Sequence, residues 1–593
     1  MTRTLTLDLE TGDADALFTG IVRKPQRRPC EGPYIRLIGY AVDDGPVVIT
    51  TDVEELLGEI KRADVIQGHN LFGFDGLALS WHHGMDWEEF CAKAVDTEIR
   101  ERYRFPARSR EHGSEDKYDL DHTAQRLGVA GKITGPAGLQ ALKRKYGGYD
   151  RIPVDDPDFI AYLVADVEAA RAVAARYPEM TPYEIREHKI ACLFGRMTLN
   201  GFHVNEPLLR QRITEGQEAK AAALRELNEV YGVPLARPLT RGRGENKVTT
   251  QEVMASPLST NIGRDALIKA FHTWGAKYCP KTDQGKIALG RDAMKRMSTY
   301  YHELPDVVRI CELVTTVTTT RTVYQTASDW LCPDGKVHPR VSMRQSSGRA
   351  SITGPGMTVY GKHNGRWRER EIFDAEGDEY GDYFVITCDL SQVDMRAVAG
   401  HCQDRNYMSM FAPGRDFHSE VAKMLGVERQ ASKPLGHGSN YGMGDKRMIK
   451  DGHDPKLVRA FFELLAREFP RKGKWTREIV AYASRGGMLD NGFGRPMRCD
   501  PRSAYTVAPA LMGQGAARDI TCEVLIRLMD KHPEYLPYLR GHAHDEFIFV
   551  VPADQVDVIG KEIEEAFTWE WRGVPILCEL SPVGGDWGEC SQK

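Results

Sequence analysis

The sequence contains no apolar run approaching the roughly 20 residues that cross a bilayer, so no membrane helix is expected. Its opening residues, MTRTLTLDLETGD, have acids where a secretory signal needs an apolar core, which points to the cytoplasm (a host's cytoplasm if the source is a phage). None of the twelve cysteines belongs to a Cys-x-x-Cys pair, and several, such as Cys388 and Cys578, lie inside apolar runs. That pattern excludes a zinc ribbon or a disulfide frame and predicts reduced, buried thiols. Excess positive charge is also missing. The net charge of -5 does not announce a nucleic-acid binder, although an acidic metal site would offset basic clusters such as Arg467, Arg471, Lys472, Lys474 and Arg477 in the sum. No internal repeat or low-complexity segment is present. What is there has the composition of a soluble protein, 41% hydrophobic and 27% charged. At about 150 residues per domain, 593 residues make three to five units.

The stretch HAHDEFIFVV, His542 to Val551, puts Asp545 and Glu546 directly before a β-branched and aromatic run that ends at Pro552. It reads as an interior strand entered through a turn, with two acids at its start. Carboxylates on the shoulder of a buried strand need a cation or donors, and holding a divalent metal is a common solution. YFVITCDLSQVDMR repeats this grammar, an apolar strand ending on Asp389. Two aspartates from neighbouring strands could hold two divalent ions for phosphoryl transfer. Between them lies RQASKPLGHGSNYG, in which Arg429, Lys433, His437 and Tyr441 recur every four residues and so share a helix face. Two cations and two rings on one face suit a triphosphate and a base.

The N-terminal part carries a separate set of acids. TLTLDLE alternates like a strand, so Asp8 and Glu10 point the same way. Asp75 follows in GHNLFGFD, and Tyr162 and Asp166 are four apart on a helix predicted in DPDFIAYLVADVEAARAVAARY. Four carboxylates and a phenol can bind two metals and orient a water against a phosphodiester. The pattern is α/β to about residue 178 and mostly helical to about 330. A second α/β region then encloses a helical block from roughly 405 to 535, which suggests one split sheet.

Asp389 in DLSQVDMR, the Arg-x3-Lys-x3-His-x3-Tyr-Gly series and HDE at 544 to 546 resemble motifs A, B and C of family A DNA polymerases. GRASITGP, with Arg349, APALMGQGAARD, with Gln514, and VGGDWGE resemble further segments of that family, and the match covers about residues 180 to 593. The N-terminal acids resemble the DEDD 3′-5′ exonucleases of the tyrosine subclass. The resemblance implies a multidomain α/β chain, with a ribonuclease H-like exonuclease at 1–178 followed by a right-hand polymerase. Its thumb would be 179–335, the palm 336–404 and 501–593, and the fingers 405–500. It implies Asp389, the Leu390 carbonyl and Asp545 as metal ligands at one site, and Asp8, Glu10, Asp75 and Asp166 at the other. Two Mg²⁺ ions are expected at each, with Mn²⁺ as an alternative. Arg429 and Lys433 would meet the incoming phosphates, Lys433 also donating a proton to pyrophosphate. Tyr441 would guard the templating position, Arg349 and Gln514 would contact substrate, His544 and Glu546 would support the primer terminus and metal shell, and Tyr162 would orient the attacking water.

The chain departs from the family at His437, usually Phe or Tyr, and at Asp394, where many relatives carry a Glu that closes off the ribose 2′-OH. Pro434 would weaken or kink the helix that bears the clamp. The expected partners are primer-template DNA and dNTPs, bound by a monomer. With an exonuclease beginning at residue 8 there is no room for a 5′ nuclease domain, which suits a compact phage replicase. No large insertion between 235 and 300 marks a docking site for a processivity factor. The rival readings are a single-subunit RNA polymerase-like enzyme, to be separated by ribonucleotide preference, and a nuclease-only DNA-binding protein, to be separated by absence of primer extension.

Overall fold

A computed structural model describes residues 2–24, 27–109, 116–135, 138–241, 248–282, 284–319, 323–362, 368–376 and 382–591. Two compact units emerge, one of residues Met1–His203, Cys332–Thr358 and Phe373–Lys593, the other of Val204–Leu331 and Val359–Ile372. No helix among the described residues is long and apolar enough to cross a membrane.

In the large unit, the N-terminal region forms a five-stranded sheet. Its strands are β1 (Thr4–Thr11), β2 (Ile35–Val42), β3 (Val48–Thr50), β4 (Val65–Gly68) and β5 (Ala94–Asp96), in the order β3-β2-β1-β4-β5. β1 runs antiparallel to β2 and parallel to β4. The alternation in TLTLDLET buries Leu5, Leu7 and Leu9 in one core and turns Asp8 and Glu10 to the other face. Helix α1 (Asp75–His83) follows β4, and helix α2 (Pro157–Ala174) packs across β1, β2 and β4.

Gly39 makes the close approach of α2 possible. It pairs with Asp8 in the β1–β2 register, and a Cβ at Gly39 would lie 2.8 Å from Leu163 Cγ and 2.9 Å from Val167 Cγ2. Only a residue without a side chain lets α2 lie against the sheet at the level of Asp8.

Helix α3 (Pro182–Asn200) starts with a capping box formed by Thr181 and Glu184. It was expected with residues 179–335 but packs in the large unit, because Ile190, Leu193, Phe194 and Met197 join the core that contains Phe547 and Leu525. The smaller unit is mostly helical: α4 (Glu206–Glu229), α5 (Asn261–Thr273), α6 (Arg291–Tyr300) and α7 (Pro305–Thr319) surround Leu227, Leu267, Phe271, Met294 and Ile310.

The second sheet of the large unit joins strands far apart in sequence, as the split pattern predicted. β6 (Tyr383–Leu390) lies between β8 (Glu546–Pro552) and β9 (Cys578–Leu580), and β7 (Leu539–Ala543) flanks β8. Helix α8 (Val393–Cys402) follows β6, α9 (Arg429–Asn440) belongs to the helical block, and α10 (Ala504–Lys531) leads towards β7. Two short strands, Leu489–Asp490 and Pro496–Cys499, interrupt the block, and the second pairs with Arg108–Ser109 of the N-terminal region.

Two expectations are corrected here. Cys388 and Cys578 are joined by a disulfide with Cα atoms 6.2 Å apart, whereas the other ten cysteines are not so bonded. The register pairs Cys388 with Leu580 and Leu390 with Cys578, which sets both thiols on one face, although 190 residues separate them in sequence. Lys472 is 8% exposed and therefore does not belong to a basic surface. Pro434, expected to weaken or kink the helix, sits inside α9 and removes the amide that would serve the Gln430 carbonyl.

Candidate functional sites

The first site is at the open end of the β6–β9 sheet. β7 and β8 form a hairpin whose two-residue turn is His544–Asp545, with His544 at φ 60°. The β6–β8 register aligns Asp389 with Glu546, and the Leu390 amide donates to the Asp545 carbonyl at 3.2 Å. Asp389 and Asp545 thus stand together where two paired strands end, and both are half-buried.

Glu546 parts company with Asp545. It is 2% exposed, and the Trp587 indole donates to its Oε1 at 3.4 Å, so the acid pair faces two environments. Glu546, expected to support the primer terminus and metal shell, thus stands at the start of β8 with one oxygen held by the indole.

Arg396 was not singled out by sequence reasoning. Buried at 1% exposure, it donates to the carbonyls of Ser391 at 2.7 Å, Phe411 at 2.8 Å and Pro575 at 2.6 Å, pinning the turn that follows Asp389. Burial pulls its guanidinium down to about 10.

Helix α9 carries Arg429, Lys433 and His437 along one face, and Tyr441 follows at its C-terminus. Lys433 is exposed. Arg429 donates to both oxygens of Asp416, at 2.9 and 3.1 Å, and these bonds hold the Asp416 carboxyl well below the usual range despite its partial burial. The His437 ring lies 4.9 Å from that of His418. The Tyr441 hydroxyl and the Arg349 guanidinium both donate to Asp394, one to each oxygen. Asp394 is therefore held by two elements that flank it from different parts of the chain. Arg349, Gln345, Ser351, His544 and Asp545 line one cleft, and Gln514 sits half-buried on α10.

Below the sheet, Arg518 and Asp519 of α10 form a buried network with residues of α3: Arg186 donates to Asp519 at 2.6 Å and Tyr183 at 2.9 Å. These cations hold the Asp519 carboxyl at about 2 although burial opposes it.

The second site lies between β1 and α2. Oxygens of Asp8, Glu10 and Asp166 all fall within 4.8 Å of one another. Asp75, at the start of α1, accepts from the Leu9 amide at 3.1 Å, which sets it beside the same strand. Burial, then the charge of Asp166, pushes Asp8 up to about 7, and burial, then Asp8, raises Glu10. Tyr162 lies one helical turn before Asp166, as the spacing predicted.

Lys132 is the residue that sequence reasoning missed in this second cluster. Its ammonium donates to Asp166 and, at 3.1 Å, to the Tyr162 hydroxyl, and the surrounding acids keep it protonated. It lies in a loop, where no periodicity could have marked it.

The arrangement invites comparison with known proteins. The family model of DNA polymerase family A matches residues 250–589. The chain is 24% identical over 565 residues to the DNA polymerase of Mycobacterium phage L5, covering 91% of this chain and 86% of that one. It is 25% identical over 492 residues to the thermostable DNA polymerase I of Thermus filiformis, covering 74% of this chain and 56% of that one. In fold it resembles the POL domain of Pol1 from M. smegmatis, solved in complex with DNA primer-template and dNTP, at a TM-score of 0.69 and 17% identity over 94% of each chain. With more than half its length matched, the chain belongs to DNA polymerase family A.

Proposed function

We propose that the protein is a template-directed DNA polymerase that extends a primer 3′-OH with dNTPs by two-metal phosphoryl transfer, and that its N-terminal domain is a 3′-5′ proofreading exonuclease. The observation that carries the first half is the hairpin turn that sets Asp545 beside the end of β6, where Asp389 stands. The second half rests on a separate carboxylate cluster in a sheet of order β3-β2-β1-β4-β5, an arrangement that fits a ribonuclease H-like domain.

The residues suit divalent metals. At the polymerase site the donors are hard oxygens, the carboxylates of Asp389 and Asp545 with the Leu390 carbonyl, which favour Mg²⁺ or Mn²⁺. At the exonuclease site Asp166 Oδ1 is buried without a hydrogen-bond partner among the described residues, and three crowded carboxylates need a counter-charge. When bound, such ions would activate the attacking oxygen and brace the leaving group.

In this reading Lys433 meets the triphosphate and gives a proton to the departing pyrophosphate. Arg429 joins it by exchanging Asp416 for phosphate oxygens, a bidentate partner of the same geometry. His437 presents its ring to the incoming nucleotide, and Tyr441 stands at the templating position. Asp394 faces the sugar. Arg349, His544 and Gln514 hold the DNA ends. In the second site Tyr162 orients the water, and Lys132 fixes the hydroxyl of Tyr162 and the carboxylate of Asp166 relative to each other.

Two separate variants test the division of labour. Asp545→Ala should abolish extension of a primed template and leave degradation of single-stranded 3′ ends intact, and Asp8→Ala should do the reverse. If Asp8→Ala kept full 3′ degradation, the exonuclease assignment would fall while the polymerase assignment stood.

A further inference from the structure

A third group of metal-ligating side chains lies away from both acid clusters. Cys332, Asp334 and His338 each offer one atom, and the sulfur, carboxylate oxygen and ring nitrogen all lie within 4.8 Å of one another. The local sequence Cys-Pro-Asp-Gly brings this about. The Gly335 amide donates to the Cys332 carbonyl at 3.0 Å, with Gly335 at φ 77°, closing a tight turn that puts Cys332 and Asp334 on one side. The short strand Lys336–Val337 then carries the chain to His338.

The histidine is fixed in a specific way. Its Nδ1 is 2.7 Å from the Thr198 carbonyl, which can only accept, so Nδ1 carries a proton. Phe18 stacks on the ring at 4.8 Å, and Trp81 packs against it at 4.6 Å. Nε2 therefore has one direction open to it, towards Asp334 Oδ2 at 3.0 Å. In the neutral ring this would set a lone pair against a carboxylate oxygen, so a second proton or a metal cation belongs between them. A ring whose other nitrogen donates to a backbone carbonyl is the usual outer-shell support of a metal-binding histidine.

The dimensions agree. Two ligands on a tetrahedral zinc stand about 3.3 Å apart for N and O and about 3.5 Å for N and S. The N···O pair, at 3.0 Å, is already close to this, and the Cys332 sulfur lies within 4.8 Å of both atoms. Cys332 and His338 are 5% and 2% exposed, whereas the Asp334 side chain is 34% exposed, giving the cluster a side open to solvent. Sulfur and imidazole select a softer ion than the all-oxygen catalytic clusters do.

We propose that Cys332, Asp334 and His338 form a zinc-type site that fastens the turn at 332–338 against the N-terminal domain residues Phe18 and Trp81. Binding replaces the thiol proton of Cys332 and the proton between His338 Nε2 and Asp334, both of which leave to solvent, and the metal keeps its charge state. The bland alternative is a plain Asp334–His338 ion pair, which would bind no metal.

The test uses the full chain, stripped with a chelator and held in excess Mg²⁺ to occupy the oxygen-donor clusters. Co²⁺ is titrated while near-ultraviolet and visible absorption are read. The expected result is a stoichiometric thiolate-to-cobalt charge-transfer band with tetrahedral d–d bands, both displaced by Zn²⁺. Cys332→Ser should remove the charge-transfer band, and Asp334→Asn, a change at a partly exposed position, should weaken binding at least about tenfold. Absence of the band in the native chain, or its survival in Cys332→Ser, would overturn the proposal. Should Cys332→Ser fail to fold, unchanged Co²⁺ affinity in Asp334→Asn would overturn it equally.

Discussion

The gate that we place at the sugar can be tested through Asp394. Its side chain is 13% exposed, and its two oxygens are taken up separately, one by the Arg349 guanidinium and one by the Tyr441 hydroxyl. A carboxylate one methylene shorter than the family's Glu leaves slack worth about 1 to 3 kcal/mol if it is free to move. Here it is not free. To swing aside for a ribose 2′-OH, Asp394 must give up at least one charge-assisted hydrogen bond, at about 1.5 to 3 kcal/mol. That is roughly 10- to 150-fold in kcat/KM against a ribonucleotide. Asp394→Ala removes the barrier and its anchors together, so ribonucleotide incorporation should rise at least about tenfold, equivalent to roughly 1.4 kcal/mol. Tyr441→Phe, which cuts one anchor and leaves the carboxylate, should give a smaller rise. Single-nucleotide kinetics with dCTP and CTP on one primed template measure both. An unchanged ratio of the two kcat/KM values in Asp394→Ala would refute the gate and move attention to His437.

Two further perturbations act on the framework. Gly39→Ala inserts a methyl group against Leu163 and Val167, an overpacking cost of about 1 to 3 kcal/mol that pushes helix α2, with Tyr162 and Asp166, away from Asp8 and Glu10. Degradation of single-stranded 3′ ends should fall at least about tenfold with primer extension unchanged, and equal degradation rates would contradict the close-approach account. Lys472 is buried with its ammonium 5.3 Å from the Tyr407 ring centroid, and burial lowers it from 10.5 to about 8. The unfolded chain therefore binds more protons between about pH 8 and 10.5, and stability rises with pH across that window. Lys472→Met should stabilise the protein at pH 7 by on the order of 1 to 3 kcal/mol, with the gain shrinking towards pH 10, as thermal unfolding at the two pH values would read.

Much of the local placement of the candidate site was legible because its residues obey periodic rules. Asp389 and Asp545 end apolar runs, α9 carries its cations at every fourth position, and β1 alternates. Those local patterns become strands, a hairpin turn and a helix face directly. What escaped depended on packing between distant segments. Glu546 looked equivalent to Asp545, but the turn ends between them and Trp587, 41 residues on, covers the second acid. Lys132 enters the N-terminal carboxylate cluster from a loop. Arg396 went unremarked because the three carbonyls that converge on it come from separated segments. Lys472 sat in a basic run but faces the aromatic interior, and the Cys388–Cys578 pair required knowledge of which strands become neighbours. Helix α3 was grouped with residues 179–335 yet packs into the large unit, because a turn before a helix marks where the chain bends, not with which core the helix packs.

The most direct measurement is extension of a primed DNA template by the full chain with Mg²⁺ and all four dNTPs, resolved on a gel, beside Asp389→Ala. The expected result is a ladder reaching the template end for the native chain, weak with the four rNTPs, and no extension in the variant. Failure of the native chain to add a nucleotide, or equal extension after loss of Asp389, would contradict the assignment of the β6–β8 strand ends as the polymerase centre.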